Sequence, residues 1–243
     1  MRIEHEGRSD TGRRENNEDA WLALPERGLY AVADGMGGYE GGEVASRLAL
    51  ASLQTYFELL GEDGLGLCEP GGEGVARERV ALAIRIADRE VSRRARGRLS
   101  KMGTTLACLF LQGDRALIAH VGDSRVYRMR DGELEALTRD HSLYSEMESA
   151  GLAGLPPRTS FHFSNVITQA LGQGPDVRPD VTLVSVLPGD RFLLCSDGVT
   201  DVLDEESIAW FLTRTEGTAR ELVEGAYDHG GLDNITAVVV TAR

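Results

Sequence analysis

"VADGMGGYEGGE", Val32 to Glu43, sets one aspartate among five glycines, between a short apolar run, "LYAVA", and an amphipathic stretch. Glycine-rich loops serve phosphates, nucleotides and metals, each with different neighbours. The chain has no G-x-x-x-x-G-K-[ST], and a G-x-G-x-x-G register begun at Gly35 puts Glu40 where the last glycine belongs. A carboxylate beside the glycines would repel a phosphate directly, whereas a cation between them would join the two. The loop therefore reads as the turn from a strand into a helix, carrying a carboxylate for a metal.

Working outward, Leu50, Leu53, Phe57 and Leu60 recur at helical spacing, as do Val80, Ile84, Ala87 and Val91. An irregular stretch, Gly61 to Gly74, separates these two helices. Short β-rich runs surround them: "LYAVA", "TTLACLFLQ", "RALIAHV", "SRVYRM", "VTLVSV", "RFLLCS" and "ITAVVVT". In "MRDGELE" an Asp-Gly pair between two runs predicts a hairpin turn. "LDEESIAWFL" and "TARELVEGAYD" predict two more helices. The strands come in adjacent groups without a helix after each, so the pattern predicts antiparallel sheets covered by helices, an α+β fold, and not a doubly wound parallel sheet.

The 243 residues contain no repeat or proline-rich linker, and are expected to form a single domain. With 42% hydrophobic and 27% charged residues, the composition is that of a folded globular protein. A net charge of −13, from 39 acidic and 26 basic residues, argues against nucleic acid and anionic membrane surfaces as partners. The apolar runs are strand-sized and the first twenty residues lack a signal-peptide core, which predicts a cytoplasmic protein without a membrane span. Cys68, Cys108 and Cys195 share no metal-type spacing and read as buried, reduced thiols.

Three apolar runs end in aspartate followed by a small residue: Asp34 in "YAVADG", Asp123 in "IAHVGDS" and Asp197 in "FLLCSDG". Asp233 stands just before the last strand, Glu18 and Asp19 precede "WLAL", and Asp201 follows Asp197 by one helical turn. Taken singly, each "DG" is an ordinary turn. Strand ends can nevertheless converge on one rim of a sheet, and several carboxylates together require protons or cations. An oxygen-only set suits Mg²⁺ or Mn²⁺ first and Ca²⁺ second. Gly35 would let its own carbonyl approach such an ion, while Gly37 and Gly38 allow the turn into the helix.

These segments, from "SDTGRRENNEDA" through "VADGMGGYEGGEVAS", "GTTL", "VGDSRVY", "LTRDHSL", "NVITQALG" and "LLCSDGVTD" to "LDNITAVVV", resemble the bacterial metal-dependent serine/threonine phosphatases of type 2C, in the family's order and across nearly the whole chain. The resemblance implies two packed antiparallel sheets with helices on both outer faces, in one catalytic domain. It implies two Mn²⁺ or Mg²⁺ ions and hydrolysis by a water they activate. Asp34 would bridge the ions and the Gly35 carbonyl would bind one. Asp197 and Asp233 would complete the first ion's shell, and Glu18 and Asp19 would serve the second ion, one of them through water. Asp123 and Asp201, with Asp197, match a weaker third-metal site. Arg14 matches the arginine that holds the substrate phosphate, a role suited to a guanidinium fork.

Met36 stands where animal relatives carry a histidine proposed as general acid. A metal-bound water is then the first candidate for the leaving-group proton and His141 the second. Residues 143–166 correspond to the family's mobile flap, with unusual wording and a Pro156-Pro157 pair. The implied partners are phosphorylated proteins and a cognate Ser/Thr kinase, with regulation of a secretion system as a further expectation and a monomer as the working state. Alternatives are a catalytically silent phosphoprotein-binding scaffold, a stress- or sporulation-type phosphatase acting on anti-sigma antagonists, and a structural domain that binds divalent ions.

Overall fold

Two antiparallel sheets form the centre of the protein. One has the order β1 (Ile3–Asp10), β11 (Ile235–Ala242), β10 (Arg191–Cys195), β7 (Arg125–Arg130), β8 (Glu133–Ala136). The other has the order β2 (Asp19–Leu24), β3 (Leu29–Met36), β5 (Leu106–Gln112), β6 (Arg115–Val121), β9 (Asp180–Ser185), with the short β4 (Gly103–Thr104) paired to the end of β3. The computed structural model describes residues 1–38, 41–60, 64–152, 154–174, 176–214 and 217–243. Tyr39 and Glu40 of the glycine-rich stretch, residues 61–63 of the expected inter-helix loop and residue 153 of the expected flap lie outside them.

The period of two along each central strand makes four layers. In β3, Leu29, Ala31 and Ala33 face α1 (Gly41–Leu59) and α2 (Gly72–Arg94), while Tyr30 and Val32 face the other sheet. In β10 and β11, Phe192, Leu194, Val238 and Val240 point into the space between the sheets. Leu193, Cys195, Ala237 and Val239 point outward onto α5 (Glu205–Leu212) and α6 (Thr218–Asp228). Both faces of these strands are covered, so they read as unbroken apolar runs and not as alternation. Leu50, Leu53 and Phe57 of α1, and Val80, Ile84, Ala87 and Val91 of α2, are buried as their spacing predicts. The Asp131-Gly132 pair closes the β7–β8 hairpin with φ of 52° and 85°, the left-handed geometry that Asp-Gly favours.

One expectation needs correcting, and two elements go beyond what the sequence announced. Cys68 is exposed, and only Cys108 and Cys195 are buried. The charged segment "IEHEGRSD" is an edge strand, β1, which no apolar run announced. The region 143–166 opens with a helix, α3 (Leu143–Ser149), capped by Ser142. That region is closed at its base by the bond from the Leu143 N–H to the Val166 carbonyl (2.9 Å) and tied to the sheet through Arg158, which pairs with the buried Asp140. Asp140 in turn accepts two bonds of 2.8 Å from Arg125 of β7. Among the described residues no helix is long and apolar enough to cross a membrane.

Candidate active site

Antiparallel pairing brings the ends of β3, β6 and β10 to the same rim as the starts of β2 and β11. Asp34 and Asp19 are directly opposite each other in the β2–β3 register. The Asp197 N-terminal turn of α4 (Asp197–Thr200) follows β10, and its coil is continued by the bond from the Asp201 N–H to the Asp197 carbonyl (2.7 Å). A cleft of about 720 Å³ opens on this rim, lined by Arg14, Glu18, Asp34, Gly35, Asp123, Asp197 and Asp233, among others. Asp19 lies buried beneath it, and Asp201 stands behind Asp197 without lining the cleft. All nine residues singled out in the sequence thus meet in one neighbourhood.

The carboxylates disturb one another as a crowded cluster must. Burial, then the charges of Asp19, Asp197 and Asp123, holds the Asp34 carboxyl well above the usual carboxylate range. Burial, then Asp123, Asp201, Asp233 and Asp19, does the same to Asp197. Asp19 is pushed up to about 6, chiefly by burial, against the bond it receives from the Ser196 hydroxyl (2.7 Å). Asp123 is also pushed up to about 6, by burial and then by Asp140. Glu18 and Asp201 are raised mainly by burial.

One oxygen each of Asp19 and Asp197 is buried and has no hydrogen-bond partner among the described residues. Unpaired carboxylate oxygens among other carboxylates fit hard divalent cations, which would satisfy the oxygens and remove the repulsion together. Asp34, Asp197, Asp233, Glu18 and Asp19 form the donor set such ions would meet.

Gly35 is needed for a reason the sequence did not show. Its N–H donates to the Glu18 carbonyl (3.2 Å), and a Cβ at this position would overlap the Gly42 carbonyl oxygen and lie 2.6 Å from that of Glu18. The strand end, the start of α1 and the Glu18 segment therefore touch through bare backbone. Gly37 has φ of 131°, whereas a Cβ at Gly38 would meet nothing within 4 Å among the described residues.

A layer of neutral side chains, missed by attention to carboxylates, holds this arrangement. The Asn234 amide accepts from the Glu18 N–H (2.7 Å) and donates to the carbonyls of Thr11 and Asn16 (2.9 Å each), fixing the segment that carries Arg14 and Glu18. The Thr105 hydroxyl accepts from the Asp34 N–H (3.0 Å), and the Thr104 hydroxyl donates to the Asp34 carbonyl (2.9 Å). The available signal was position alone: Asn234 follows Asp233, and the threonines follow Gly103. Arg14 lies across the Asp233 carboxylate, with a 2.7 Å bond from Nη2, and its side chain is more than half exposed. Met36 lines the cleft. His141 does not line it; its Nδ1 accepts from the Gly122 N–H (3.3 Å) and its ring stacks on His120.

The raised carboxyls set the sign of a pH effect on the cation-free protein. Asp19 and Asp123 hold a proton up to about pH 6 when folded but only to the ordinary carboxylate range when unfolded. Between these limits the folded state binds more protons, so stability falls as pH rises through this window. His120, lowered by burial, opposes the trend as a single group. In chelator the melting temperature is expected to be about 5 °C higher at pH 5 than at pH 7.5, given roughly 2–4 °C per kcal/mol for a chain of this size. Thermal melts with and without manganese check this, and manganese should remove or reverse the order.

Comparison with known proteins agrees with the geometry. The family model described as protein phosphatase 2C matches residues 6–224. The serine/threonine protein phosphatase PstP of Mycobacterium tuberculosis is 37% identical over 98% of this chain, which spans only 44% of PstP's length. The PstP catalytic domain, solved with two manganese ions, superposes with a TM-score of 0.82 at 36% identity over 98% of this chain and 97% of that one. Protein phosphatase PhpP of Streptococcus pneumoniae is 32% identical over 96% of this chain and 95% of its own length. PppA, described as a key regulatory component of the T6SS in Pseudomonas aeruginosa, has a TM-score of 0.81 at 34% identity, covering 100% of this chain and 99% of that one. The chain belongs to the protein phosphatase 2C family.

Proposed function

We propose that the chain is a single metal-dependent catalytic domain that hydrolyses phosphoserine and phosphothreonine in proteins. The observation that carries this is the gathering of Glu18, Asp19, Asp34, Asp123, Asp197 and Asp233 at and beneath the floor of one cleft, with the exposed Arg14 at its edge. Two divalent ions, Mn²⁺ or Mg²⁺, bound there would supply an activated water and neutralise charge on the phosphoryl oxygens. Asp34 is suited to bridge them from the centre of the cluster. Asp197 and Asp233 are assigned to one ion, and Glu18, Asp19 and the Gly35 carbonyl to the other. Asp123, Asp197 and Asp201 are assigned to a weaker third position.

Arg14 is the residue that meets the substrate. Its guanidinium lies across Asp233 and is long and exposed enough to turn to a phosphoryl group, where its planar fork matches two oxygens. Met36 offers no proton, and His141 is turned to Gly122, so neither is assigned as acid for the leaving oxygen. Arg14→Ala is expected to raise KM about tenfold while leaving manganese affinity the same or higher, since Asp233 loses a competing cation. Steady-state kinetics alongside manganese titration separate the two effects, and a fall in metal affinity would remove Arg14 from this role.

The partners follow from the chemistry: phosphorylated proteins and the Ser/Thr kinase that makes them, in the cytoplasm. The likeness to PppA supports, as a narrower reading, a part in regulating a secretion system. Purified protein with Mn²⁺ should release phosphate from phosphothreonine peptides and from p-nitrophenyl phosphate, and stop in chelator. No turnover with manganese bound would favour a silent phosphoprotein-binding scaffold instead.

A further inference from the structure

We propose that the turn leading into β4 is a docking surface for acidic segments of the phosphoprotein; the proposal rests on the phosphatase reading and names the kind of substrate that site takes. Within a chain of net charge −13, the stretch "VSRRARGRLSK", Val91 to Lys101, carries Arg93, Arg94, Arg96, Arg98 and Lys101 and no acidic residue. All five are exposed. Arg93 is paired with Glu90 at 2.6 Å, but among the described residues Arg94, Arg96, Arg98 and Lys101 take part in no salt bridge. Four basic side chains thus stand together here with no ion-pair partner among the described residues.

The position of this cluster makes it more than a solvated helix end. Residues Gly97–Leu99 form a single tight turn, after which Gly103–Thr104 pair with Gly35 and Met36, beside Asp34. The Lys101 carbonyl accepts from Gln173 Nε2 (3.0 Å), and Gln173 lines the cleft. Gly37, also in the cleft lining, packs so closely that a Cβ there would lie 2.8 Å from Met102 Cα and 2.9 Å from the Lys101 carbonyl oxygen. The basic turn thus backs one bank of the cleft, formed by Gly37 and Gln173, while its own side chains stand just outside the lining. A phosphoresidue reaching the floor brings its neighbours in sequence over the banks. On this bank Asp or Glu neighbours would meet unpaired guanidinium and ammonium groups, offsetting the repulsion such a peptide meets from the remaining acidic surface.

The test compares a phosphothreonine peptide carrying three acidic residues on each side with its Asn/Gln-matched copy. Wild type is expected to favour the acidic peptide about tenfold in kcat/KM, mostly through KM, as exposed ion pairs of modest individual strength add up. The preference should shrink as salt rises from about 50 to about 300 mM. It should fall close to one in Arg96→Glu/Arg98→Glu/Lys101→Glu and persist in Arg85→Glu/Arg115→Glu/Arg220→Glu, which changes net charge equally at exposed sites elsewhere. Anisotropy of the same peptides labelled with fluorescein, read in chelator, reports docking without turnover. A preference in binding without any hydrolysis would overturn the phosphatase reading and leave the docking surface standing. Equal treatment of the two peptides by wild type, equal loss in both triple variants, or stronger capture of anionic vesicles than of the acidic peptide would overturn the docking surface.

Discussion

Asp34→Asn is expected to lower kcat/KM by more than about a hundredfold while making the cation-free protein no less stable. Groups that only orient a metal ligand already cost 10- to 100-fold when removed, roughly, and Asp34 is assigned as the ligand shared by both ions. The variant is isosteric, and the bonds that the Asp34 backbone makes with the Thr104 and Thr105 hydroxyls do not involve the altered side chain. It also deletes one negative charge from a buried cluster in which Asp19, Asp197 and Asp123 all press on Asp34. The melting temperature in chelator should therefore stay level or rise, and the increase that manganese gives wild type should largely vanish. Loss of activity together with a lower melting temperature in chelator would mean damage to the fold and not to a metal centre. Full activity would remove Asp34 from the mechanism.

Gly35→Ala should be the most damaging of the conservative changes. The added methyl has nowhere to go, because its neighbours are the backbone carbonyls of Gly42 and Glu18 and not the ends of flexible side chains. Overpacking of this kind costs about 1–3 kcal/mol, which corresponds to a fall of roughly 3–10 °C in melting temperature for this length. The larger effect is on chemistry. Relief of the clash must push the Glu18 segment away from the end of β3, and a displacement of about 1 Å between catalytic groups can cost about a hundredfold in rate. Gly38→Ala is the matched control: nothing among the described residues lies within 4 Å of a Cβ there and its φ is not positive, so both quantities should stay near wild type. Similar behaviour of the two variants would contradict the close-approach account of Gly35.

Much of this was legible in the chain because the physics is local. Strands buried on both faces produce apolar runs such as "TAVVV", and helices lying on one face produce the spacing of Leu50, Leu53 and Phe57. Asp34, Asp123 and Asp197 could be picked out because a carboxylate closing an apolar run must sit at a strand end. What the chain hid depends on neighbours distant in sequence. β1 is half-exposed and charged, and it is a strand because its backbone pairs with β11 from Ile3–Ala242 to Asp10–Ile235. Asn234, Ser196 and Thr105 look like ordinary polar residues until the fold sets them against Glu18, Asp19 and Asp34. Gly35 looked like a residue for metal approach, and its tighter constraint comes from Gly42, on a helix that begins beyond the turn. Cys68 reads as buried with the other two thiols, but it is exposed, in the segment ahead of α2 and outside any strand, although Leu67 beside it is buried.

The claim beneath all these expectations is that carboxylates far apart in sequence hold a pair of cations in one pocket. Anomalous diffraction at the manganese edge, from crystals grown with Mn²⁺, tests it without any assay of activity. Two strong peaks should appear on either side of the Asp34 carboxylate, one also contacting Asp197 and Asp233, the other on the Glu18 side. Peaks that avoid Asp34, or a single ion bound elsewhere on the acidic surface, would contradict the account.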